Sequence, residues 1–468
     1  MVPSWKPTFS NSAPPLRLLF RVSILLVGVL WIVGLSSCQL LRAPSSPQSP
    51  DSTTVLWAGG VTPTSARIHA RVPNKQATVR LAVTSARNWT DPTYVDGTHP
   101  PSSAAVHHFR LHHLTPDTTY RYALEVNGQL DTTKGGHFRT FADEPFSFRV
   151  ALGACAETGS THPVFTAIRR TDPDLFLHLG DLHYEDITAL NPVPYRTAYR
   201  QVHASPPQSR LFRSTALAYV WDDHDYGPNN SSRRAPGQST AQQVYREYVP
   251  HYPLSQDDPT APIYQSFTVG RVRFVLTDLR SARTSNDAPD PLQTMMGAQQ
   301  KAWFKRQLKQ AQDEDQVIAW VSSVPWIGDR TDSDDHWGGF AWERRELASY
   351  IDSLGVDDQL FILSGDAHMV ALDDGTHNRY GRMDSEGFPV VHAAALDRPG
   401  SVKGGPYTHG PYPNPFTLFG RRPGQFVLMD VTDTGGKEVC VRWSGKRYDP
   451  GDARTKTLLE WRKCFVPS

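Results

Sequence analysis

The chain has 468 residues, more than one typical domain holds, so we expect at least two domains. Hydrophobic residues make up 39% of it and charged residues 20%, which is an ordinary globular composition. Lysine and arginine total 48 against 47 aspartates and glutamates. The resulting net charge of +1 gives no electrostatic reason to expect a nucleic-acid partner.

The N-terminus has the pattern of a targeting segment. Arg17 and Arg21 precede an uncharged, mostly apolar run over residues 24–35, which is the order of regions in a secretory signal. This run is shorter than the about 20 apolar residues that a membrane-spanning helix needs. An uncleaved membrane anchor is the alternative.

The sequence Leu-Ser-Ser-Cys at residues 35–38 resembles a bacterial lipobox. We therefore expect residues 1–37 to be a lipoprotein signal peptide and Cys38 to carry the lipid anchor. Residues 38–54 are rich in serine and proline and are expected to form a tether. The protein is then expected on the periplasmic or extracellular face of a bacterial membrane.

Residues 55–143 show short β patterns without helical periodicity. The Leu-Thr-Pro turn at 114–116, followed by Tyr120 and Tyr122, resembles a fibronectin type III domain, in which one of these tyrosines would bond back to the upstream backbone. We expect a small all-β sandwich that serves as a spacer or lid. Four histidines of this region are expected at the surface, because neighbouring residues of a strand face opposite ways: His107, His108, His112 and His113.

Strands and helices alternate from residue 146 onward, which indicates an α/β domain over residues 146–468. Helices are predicted at residues 162–170, 299–310 and 343–354. Polar side chains follow the ends of the predicted buried strands: Cys155, Asp181, Tyr184, Asp223, His224, Asp366 and His368. Because strand ends of one sheet lie side by side, we expect these groups to converge.

The converging groups predict a metal centre. Carboxylates suit Ca²⁺, Mg²⁺ or Mn²⁺, whereas a thiolate with a phenolate favours Fe³⁺, because Tyr184 must lose its proton far below its ordinary pKa of about 10. Two metals about 3.5–4 Å apart can activate water and hold a phosphate at once. Asp181 is expected to bridge them.

The motifs that end at Cys155 (Gly-Ala-Cys), Tyr184 (Leu-Gly-Asp-x-x-Tyr) and His368 (Gly-Asp-x-His), with Trp-Asp-Asp-His-Asp around His224, resemble the alkaline phosphatase D family. This family is a branch of the calcineurin-like metallophosphatases, and the resemblance covers roughly residues 55–430. It implies an α/β catalytic domain built as a two-sheet sandwich flanked by helices, after the fibronectin III-like sandwich. It also implies hydrolysis of phosphate monoesters or diesters by a metal-activated hydroxide, with Fe³⁺ and Ca²⁺; Mn²⁺, Zn²⁺ or Mg²⁺ are the alternatives.

The same resemblance assigns roles to individual residues. The implied metal ligands are Cys155, Asp181, Tyr184, Asp223, Asp366 and His368. His224, together with Asp181, is the implied catalytic residue, as stabiliser of the transition state or proton donor. Asn229 or Asn230 is expected to contact the substrate. Residues 225–228 lengthen the segment before them relative to the family pattern, so which of the two asparagines enters the site stays open. Arg280 is a candidate phosphate clamp through its fork geometry, and pairing with a nearby carboxylate such as Asp278 is the alternative.

Cys440 and Cys464 lie in C-terminal β-like runs, and in an oxidising compartment we expect them to form a disulfide. Buried thiols are the alternative.

Two other functions stay open beside a phosphatase that acts as a monomer. One is a phosphodiesterase specialised for lipid or wall polymer, since tethering puts the site near such substrates. The other is a lipid-anchored binding protein with an inactive site. Comparing the hydrolysis of a phosphate monoester with that of a diester distinguishes the phosphatase from the phosphodiesterase. Absence of bound metal would favour the binding protein.

Overall fold

The computed structural model describes residues 54–467 except 287, 290, 330–334, 382–386, 394 and 417–421. The predicted signal peptide, Cys38 and nearly all of the tether lie outside the described residues. The described part belongs to one compact unit. Within these ranges, no helix combines the length and apolar character that crossing a bilayer requires.

Three β-sheets and seven α-helices organise the described chain. The strands are β1 (Val55–Gly59), β2 (Ala66–Arg71), β3 (Val79–Thr84), β4 (Thr93–Asp96), β5 (Val106–Leu111), β6 (Thr119–Val126), β7 (Gln129–Leu130), β8 (Gly136–Arg139), β9 (Phe148–Gly153), β10 (Leu175–His178), β11 (Ala216–Tyr219), β12 (Gln265–Val269), β13 (Val272–Leu276), β14 (Val317–Ser322), β15 (Leu360–Ser364), β16 (Met369–Asp373), β17 (Val390–Ala393), β18 (His409–Pro413), β19 (Gly424–Thr432), β20 (Val439–Asp449) and β21 (Arg454–Phe465). The helices are α1 (Val164–Arg169), α2 (Val193–Ala204), α3 (Pro206–Ser214), α4 (Asp223–Tyr226), α5 (Gln238–Tyr248), α6 (Gly297–Asp313) and α7 (Ala341–Leu354).

Two mixed sheets form the centre of the fold. One has nine strands in the order β21-β20-β19-β9-β10-β11-β1-β2-β5, and the other has seven in the order β12-β13-β14-β15-β17-β16-β18. Their central strands β9-β10-β11 and β13-β14-β15 run parallel. Each residue of β10 and β15 is buried, as expected for parallel strands covered on both faces.

The two sheets pack face to face. Side chains from both, such as Val150 and Phe176 of the first and Phe274 and Phe361 of the second, share one hydrophobic core. A second core lies between the seven-stranded sheet and helices α6 and α7. The predicted two-sheet α/β sandwich with flanking helices is therefore confirmed.

The N-terminal strands form a small β-sandwich, as expected. Strands β3, β4, β6, β7 and β8 make a five-stranded sheet, whereas β1, β2 and β5 extend the nine-stranded sheet through the parallel pairing of Gly59 with Leu217. Tyr120 is the corner tyrosine: its hydroxyl accepts a hydrogen bond from the Thr115 backbone at 2.9 Å. The Tyr122 hydroxyl instead donates to the carbonyl of Arg213, which joins the small sandwich to α3.

Two of the four histidines predicted at the surface are not exposed. His107 is buried, and His108 is bonded through Nε2 to the carbonyl of Glu247 at 2.7 Å. His108 also stacks on His69, with ring centroids 3.7 Å apart. The prediction is wrong for this pair because both faces of their strand are covered: the end of α5 contacts His108, and His107 packs against His99 and Phe109. His112 and His113 are exposed as expected.

Strands β19, β20 and β21 form the predicted C-terminal β extension. They add to β9 in antiparallel order at one edge of the nine-stranded sheet. Cys440 and Cys464 are directly paired across β20 and β21 and form a disulfide. The predicted pairing is therefore confirmed, and Cys155 is the described cysteine left as a thiol.

Candidate metal centre

The predicted metal ligands follow strand ends in strained backbone conformations. Cys155, Asp181 and Asp366 come shortly after β9, β10 and β15, and their φ angles are 60°, 56° and 62°. Non-glycine residues rarely adopt this left-handed region, which costs of order 1–3 kcal/mol per residue. Such strain turns each side chain out of its strand direction towards a common point.

Two glycines let these strand ends approach each other. Gly180 has a φ of 114°, and a Cβ there would lie 2.6 Å from Asp222 Cβ. At Gly365, after β15, a Cβ would lie 2.6 Å from the carbonyl oxygen of Leu179, which follows β10 of the other sheet. A side chain at Gly180 would therefore separate the loops after β10 and β11, and one at Gly365 would separate the loops of the two sheets.

The first group of ligands consists of Cys155, Asp181 and His368, whose ligand atoms lie within 4.8 Å of one another. Tyr184 belongs with them: its hydroxyl donates to Asp181 Oδ2 at 2.7 Å and lies 3.0 Å from His368 Nε2. His368 is oriented by its other nitrogen, which lies 2.6 Å from the Pro399 carbonyl. These four predicted ligands are brought together.

The second group consists of Asp181, Asp223 and His224, again within 4.8 Å. Asp181 therefore belongs to both groups, as a bridging carboxylate must. His224 Nδ1 lies 2.6 Å from Asp186 Oδ1, a partner that the sequence pattern did not reveal. This contact occupies Nδ1 of His224, so that Nε2 is the nitrogen left to act as a ligand or a donor.

Asp366 is buried close to the first group. Its carbonyl oxygen lies 3.9 Å from Cys155 Sγ, and Lys403 Nζ donates to its Oδ1 at 2.5 Å. Asp366 Oδ2 and Asp181 Oδ1 are both buried, and neither has a hydrogen-bond partner within the described chain. Buried oxygens of this kind are costly unless a cation or a donor satisfies them.

Asp225 holds the ligand loops in place, although sequence reasoning gave it no role. Its carboxylate accepts hydrogen bonds from the backbone N–H groups of Asp181, His183 and Asp222 at 2.7, 3.1 and 3.1 Å. Burial raises the pKa of Asp225 to about 7. The motif around His224 pointed to this residue, but only the structure shows which donors it binds.

Arg398 is a second residue that sequence reasoning missed. Its guanidinium carbon lies 3.9 Å from the centre of the Tyr184 ring, and Nη1 donates to Glu157 at 2.6 Å. A positive charge over the ring favours the deprotonated phenol. Arg398 lies in a loop without a motif, which is why the sequence gave no signal for it.

Arg280 does not serve as the predicted phosphate clamp. Its side chain is fully buried, Nε donates to Asp222 at 2.6 Å, and both terminal nitrogens donate to Asp335 at 3.0 and 2.7 Å. The N–H groups of the guanidinium thus bond to carboxylates. The alternative of an ion pair is correct, and the partners are Asp222 and Asp335 instead of Asp278. Arg280 positions the loop that carries Asp223.

Asn229 and Asn230 border a cavity of about 350 Å³ together with Asp335, His336 and Lys403. The Asn230 backbone N–H donates to Asp223 Oδ2 at 2.6 Å, which places the cavity beside the second group of ligands. Both asparagines are exposed there. Their predicted contact with substrate stays a prediction, and both remain candidates.

The charges of the centre fit a bound cation. Burial, followed by repulsion from Asp223, raises the pKa of the Asp181 carboxyl well above its usual value. Burial and the Asp181 charge likewise raise the pKa of the Cys155 thiol and the Tyr184 phenol. A metal ion among such groups reverses these shifts and takes up the freed electron pairs. The donor set therefore fits a metal.

The profile of the PhoD-like phosphatase family matches residues 150–399, which is more than half of the chain and includes all predicted metal ligands. The chain belongs to the PhoD-like phosphatase family. The predicted resemblance is therefore confirmed. PhoD-like phosphatases are metal-dependent phosphoesterases.

Solved structures share the fold of this PhoD-like chain. The structure of PhoD matches with a TM-score of 0.69 and 17% identity, over 88% of this chain and 90% of that one. The purple acid phosphatase PPD1 from yellow lupin (Lupinus luteus) seeds matches with a TM-score of 0.58 and 13% identity, over 89% and 75%.

A curated relative is Purple acid phosphatase 15 of Arabidopsis thaliana, which is 21% identical over 302 residues. The match covers 60% of this PhoD-like chain and 52% of the plant protein. The chain thus spans about half the length of the curated relative that it matches.

Proposed function

We propose that this PhoD-like chain hydrolyses phosphate monoesters at a binuclear metal centre on the outer side of a bacterial membrane. The sharing of Asp181 between two groups of metal-ligating side chains carries the proposal. A single carboxylate that serves two groups is what a pair of metals needs to act on one phosphate.

The residues of the centre would bind two different metal ions. Cys155, Tyr184 and His368 would hold one metal with Asp181, and Asp223 would hold the other. When bound, the metals supply an activated water and positive charge for the phosphoryl oxygens. The protein keeps the site dry and fixed, since the carboxylates of Asp181 and Asp223 are buried.

His224 delivers the proton that the leaving oxygen needs. Asp186 binds Nδ1 and so directs Nε2 towards the space beside Asp181 and Asp223. The Tyr184 ring packs against the imidazole, with centroids 4.1 Å apart, and limits its rotation. A histidine held on both sides in this way is suited to general acid catalysis.

We propose Fe³⁺ and Ca²⁺ as the metals. The thiol of Cys155 and the phenol of Tyr184 favour Fe³⁺, and the carboxylates favour Ca²⁺. Mn²⁺, Zn²⁺ or Mg²⁺ in place of either ion is the alternative.

The proposed location rests on the sequence alone. Arg17, Arg21 and the apolar run at 24–35 precede the lipobox-like residues 35–38. The Cys440–Cys464 disulfide agrees with an oxidising compartment. Labelling of cells with a radioactive fatty acid tests the anchor, because a Cys38→Ala variant should take up no label.

The visible spectrum of the purified protein, measured together with hydrolysis of a chromogenic phosphate monoester, tests the proposal. A phenolate-to-Fe³⁺ charge-transfer band should be present and should disappear in Tyr184→Phe. Tyr350→Phe is the matched control and should keep the band, because the Tyr350 hydroxyl donates to the Lys305 carbonyl, outside the centre. A colourless protein active with Mn²⁺ or Zn²⁺ would remove the iron from the proposal. A folded, metal-free and inactive protein would favour the binding protein.

A diester of lipid or wall polymer is the second candidate substrate. A cavity of about 500 Å³ beside Asp186 has a mixed lining, in which apolar side chains such as Ile187 and Val193 lie next to polar ones such as Thr197 and Gln201. Val193 and the nearby Leu190 are 61% and 75% exposed, which suits an apolar leaving group. Comparing kcat/KM for bis-p-nitrophenyl phosphate and p-nitrophenyl phosphate decides: a higher value for the diester would favour this candidate.

A further inference from the structure

Lys403 forms an ion pair with Asp366, one of the predicted metal ligands. Its ammonium group donates to Asp366 Oδ1 at 2.5 Å, while Asp366 Oδ2 is buried and has no hydrogen-bond partner among the described residues. Lys403 belongs to the loop after β17, outside every motif of the sequence. The lysine thus places a positive charge next to Asp366, where a metal cation would otherwise neutralise the carboxylate.

Lys403 also faces the space in which a phosphate would lie. Lys403 borders the cavity of about 350 Å³ that Asn229 and Asn230 also line. Asp223, a ligand of the second group, accepts the backbone N–H of Asn230 at the inner end of this cavity. An anion that enters the cavity therefore comes close to both the metal ligands and the lysine.

Two buried arginines near this cavity are already engaged. Arg280 binds Asp222 and Asp335, and Arg283 also donates to Asp335. Among the described residues that line the cavity, Lys403 is the only one with a permanent positive charge. Lys403 is itself paired with Asp366, but its side chain is partly exposed towards the cavity, so an incoming phosphate can reach it.

The backbone of Lys403 is fixed while its side chain has room to move. The Tyr407 hydroxyl donates to the Lys403 carbonyl at 2.9 Å. Gly404 has a φ of 70°, and a Cβ there would collide with the carbonyl oxygen of Ile327. The Lys403 side chain is 29% exposed and turns about a flexible four-carbon stem. A change of partner thus needs only side-chain rotation.

We propose that Lys403 exchanges one anion for another. It pairs with Asp366 when no metal is bound, and it turns to the phosphoryl oxygens of the substrate once a metal takes up Asp366. The exchange is favourable because a metal on Asp366 repels the ammonium group, while a phosphate dianion in the cavity attracts it. Lys403 then has the phosphate-binding role that the sequence pattern assigned to Arg280. This inference rests on the proposed phosphatase function.

Two measurements on Lys403→Met test the exchange. The first is inhibition of the metal-loaded enzyme by inorganic phosphate, whose inhibition constant should rise roughly 10- to 100-fold, as expected for the loss of one charge-assisted hydrogen bond. The second is calorimetric titration of the metal-free protein with Mn²⁺, which should bind several-fold more tightly because no ammonium group competes for Asp366. Lys309→Met is the matched control, since it removes a surface lysine paired with Asp313. It should change neither value.

Both changes are required. If only one of the two constants changes, or neither does, Lys403 does not exchange partners and the proposal is overturned. The Mn²⁺ titration needs no turnover, so an enzyme that releases phosphate from no ester would contradict the proposed function without deciding this result; titration of the binding of inorganic phosphate then replaces the inhibition measurement. If Lys403→Met does not fold, Lys403→Gln gives the same comparison.

Discussion

At the residue scale, the proposed chemistry depends on how a few side chains are held. Asp181 receives the Tyr184 hydroxyl and lies 3.5 Å from the Cys155 thiol through the same oxygen, Oδ2. Its other oxygen, Oδ1, has no partner among the described residues. Oδ2 therefore serves the group of Cys155 and Tyr184, and Oδ1 is left for a further partner.

The pair of His224 and Asp186 should affect esters according to their leaving group. We expect His224→Ala to lower kcat by roughly 10²–10⁴-fold for an alkyl phosphate, whose leaving oxygen needs a proton. For p-nitrophenyl phosphate the loss should be much smaller, because nitrophenolate leaves without one. The measurement is kcat for both esters at saturating substrate.

Asp186→Asn should reproduce part of this pattern, because an amide still bonds Nδ1 but stabilises the imidazolium less. Asp374→Asn is the matched control, since this loop aspartate bonds to Thr376 outside the site. Equal losses for the alkyl and nitrophenyl esters would show that His224 does not protonate the leaving oxygen.

Residue types and their spacing were sufficient to predict which side chains the structure brings together in both groups. Cys155, Asp181 and His368 each follow a buried strand, and the local pattern shows such strand ends. The partners Asp186 and Lys403 could not be predicted, because their contacts depend on loop conformation. Arg280 was misassigned for a related reason: the sequence does not show that the guanidinium donates to Asp335, 55 residues away.

At the element scale, the predicted helices over residues 162–170, 299–310 and 343–354 correspond to α1, α6 and α7. Helices α2, α3, α4 and α5 were not predicted. In α2 and α3, prolines stand in the first turn, at Pro194 and Pro206, and a proline there resembles a loop signal when the sequence is read alone. Position within the helix decides whether proline starts or breaks it.

The Cys440–Cys464 disulfide should stabilise the protein without affecting the metal centre. Its sequence separation of 24 residues corresponds to about 3 kcal/mol of chain entropy. We expect the double variant Cys440→Ser, Cys464→Ser to lose free energy of unfolding of this order, measured by urea denaturation. Activity and metal content should not change, because β20 and β21 lie at the sheet edge.

Ser444→Ala is the control for this pair of strands. It removes the hydrogen bond from Ser444 to Glu460 across β20 and β21, which is worth about 1 kcal/mol. A double cysteine variant that is no less stable than Ser444→Ala, or that loses metal, would contradict the assigned role.

At the scale of the whole molecule, the two sheets and the N-terminal sandwich share one hydrophobic core. The sequence indicated a small β-sandwich before an α/β domain, and both are present. That β1 joins the α/β sheet beside β11 could not be predicted, since the pairing of Gly59 with Leu217 connects residues far apart in the chain. The contact of His108 with α5 and the packing of His107 against His99 and Phe109 likewise depend on the tertiary fold.

Burial of neutral histidines should make the protein sensitive to acid. Burial, followed by the charge of Arg213, lowers the pKa of His203 to about 3, below the about 6.5 of an unfolded chain. The unfolded state therefore binds the proton first as the pH falls. The stability from this residue is fully present above pH 6.5 and is lost towards pH 3, by about 1.4 kcal/mol per pH unit.

His203→Phe isolates this effect, since His203 packs edge-on against Trp57 and its ring nitrogens have no hydrogen-bond partners within the described residues. Between pH 6 and pH 4, the free energy of unfolding of the wild type should fall by about 1.4 kcal/mol per pH unit more than that of the variant. The comparison cancels Asp225 and Asp397, whose raised pKa values act in the opposite direction. Exposed His112→Phe should follow the wild type, and equal slopes for all three proteins would contradict the prediction.

The most direct test of the binuclear centre is the metal content of the wild type and of Asp181→Asn, measured by mass spectrometry on folded protein. A shared carboxylate predicts at least two metal ions per wild-type chain, and the variant should lose most of both because each group needs Asp181. Hydrolysis of phosphate esters should disappear with them. If Asp181→Asn keeps both metals and its activity, or if the folded wild type binds none, the proposed centre is wrong.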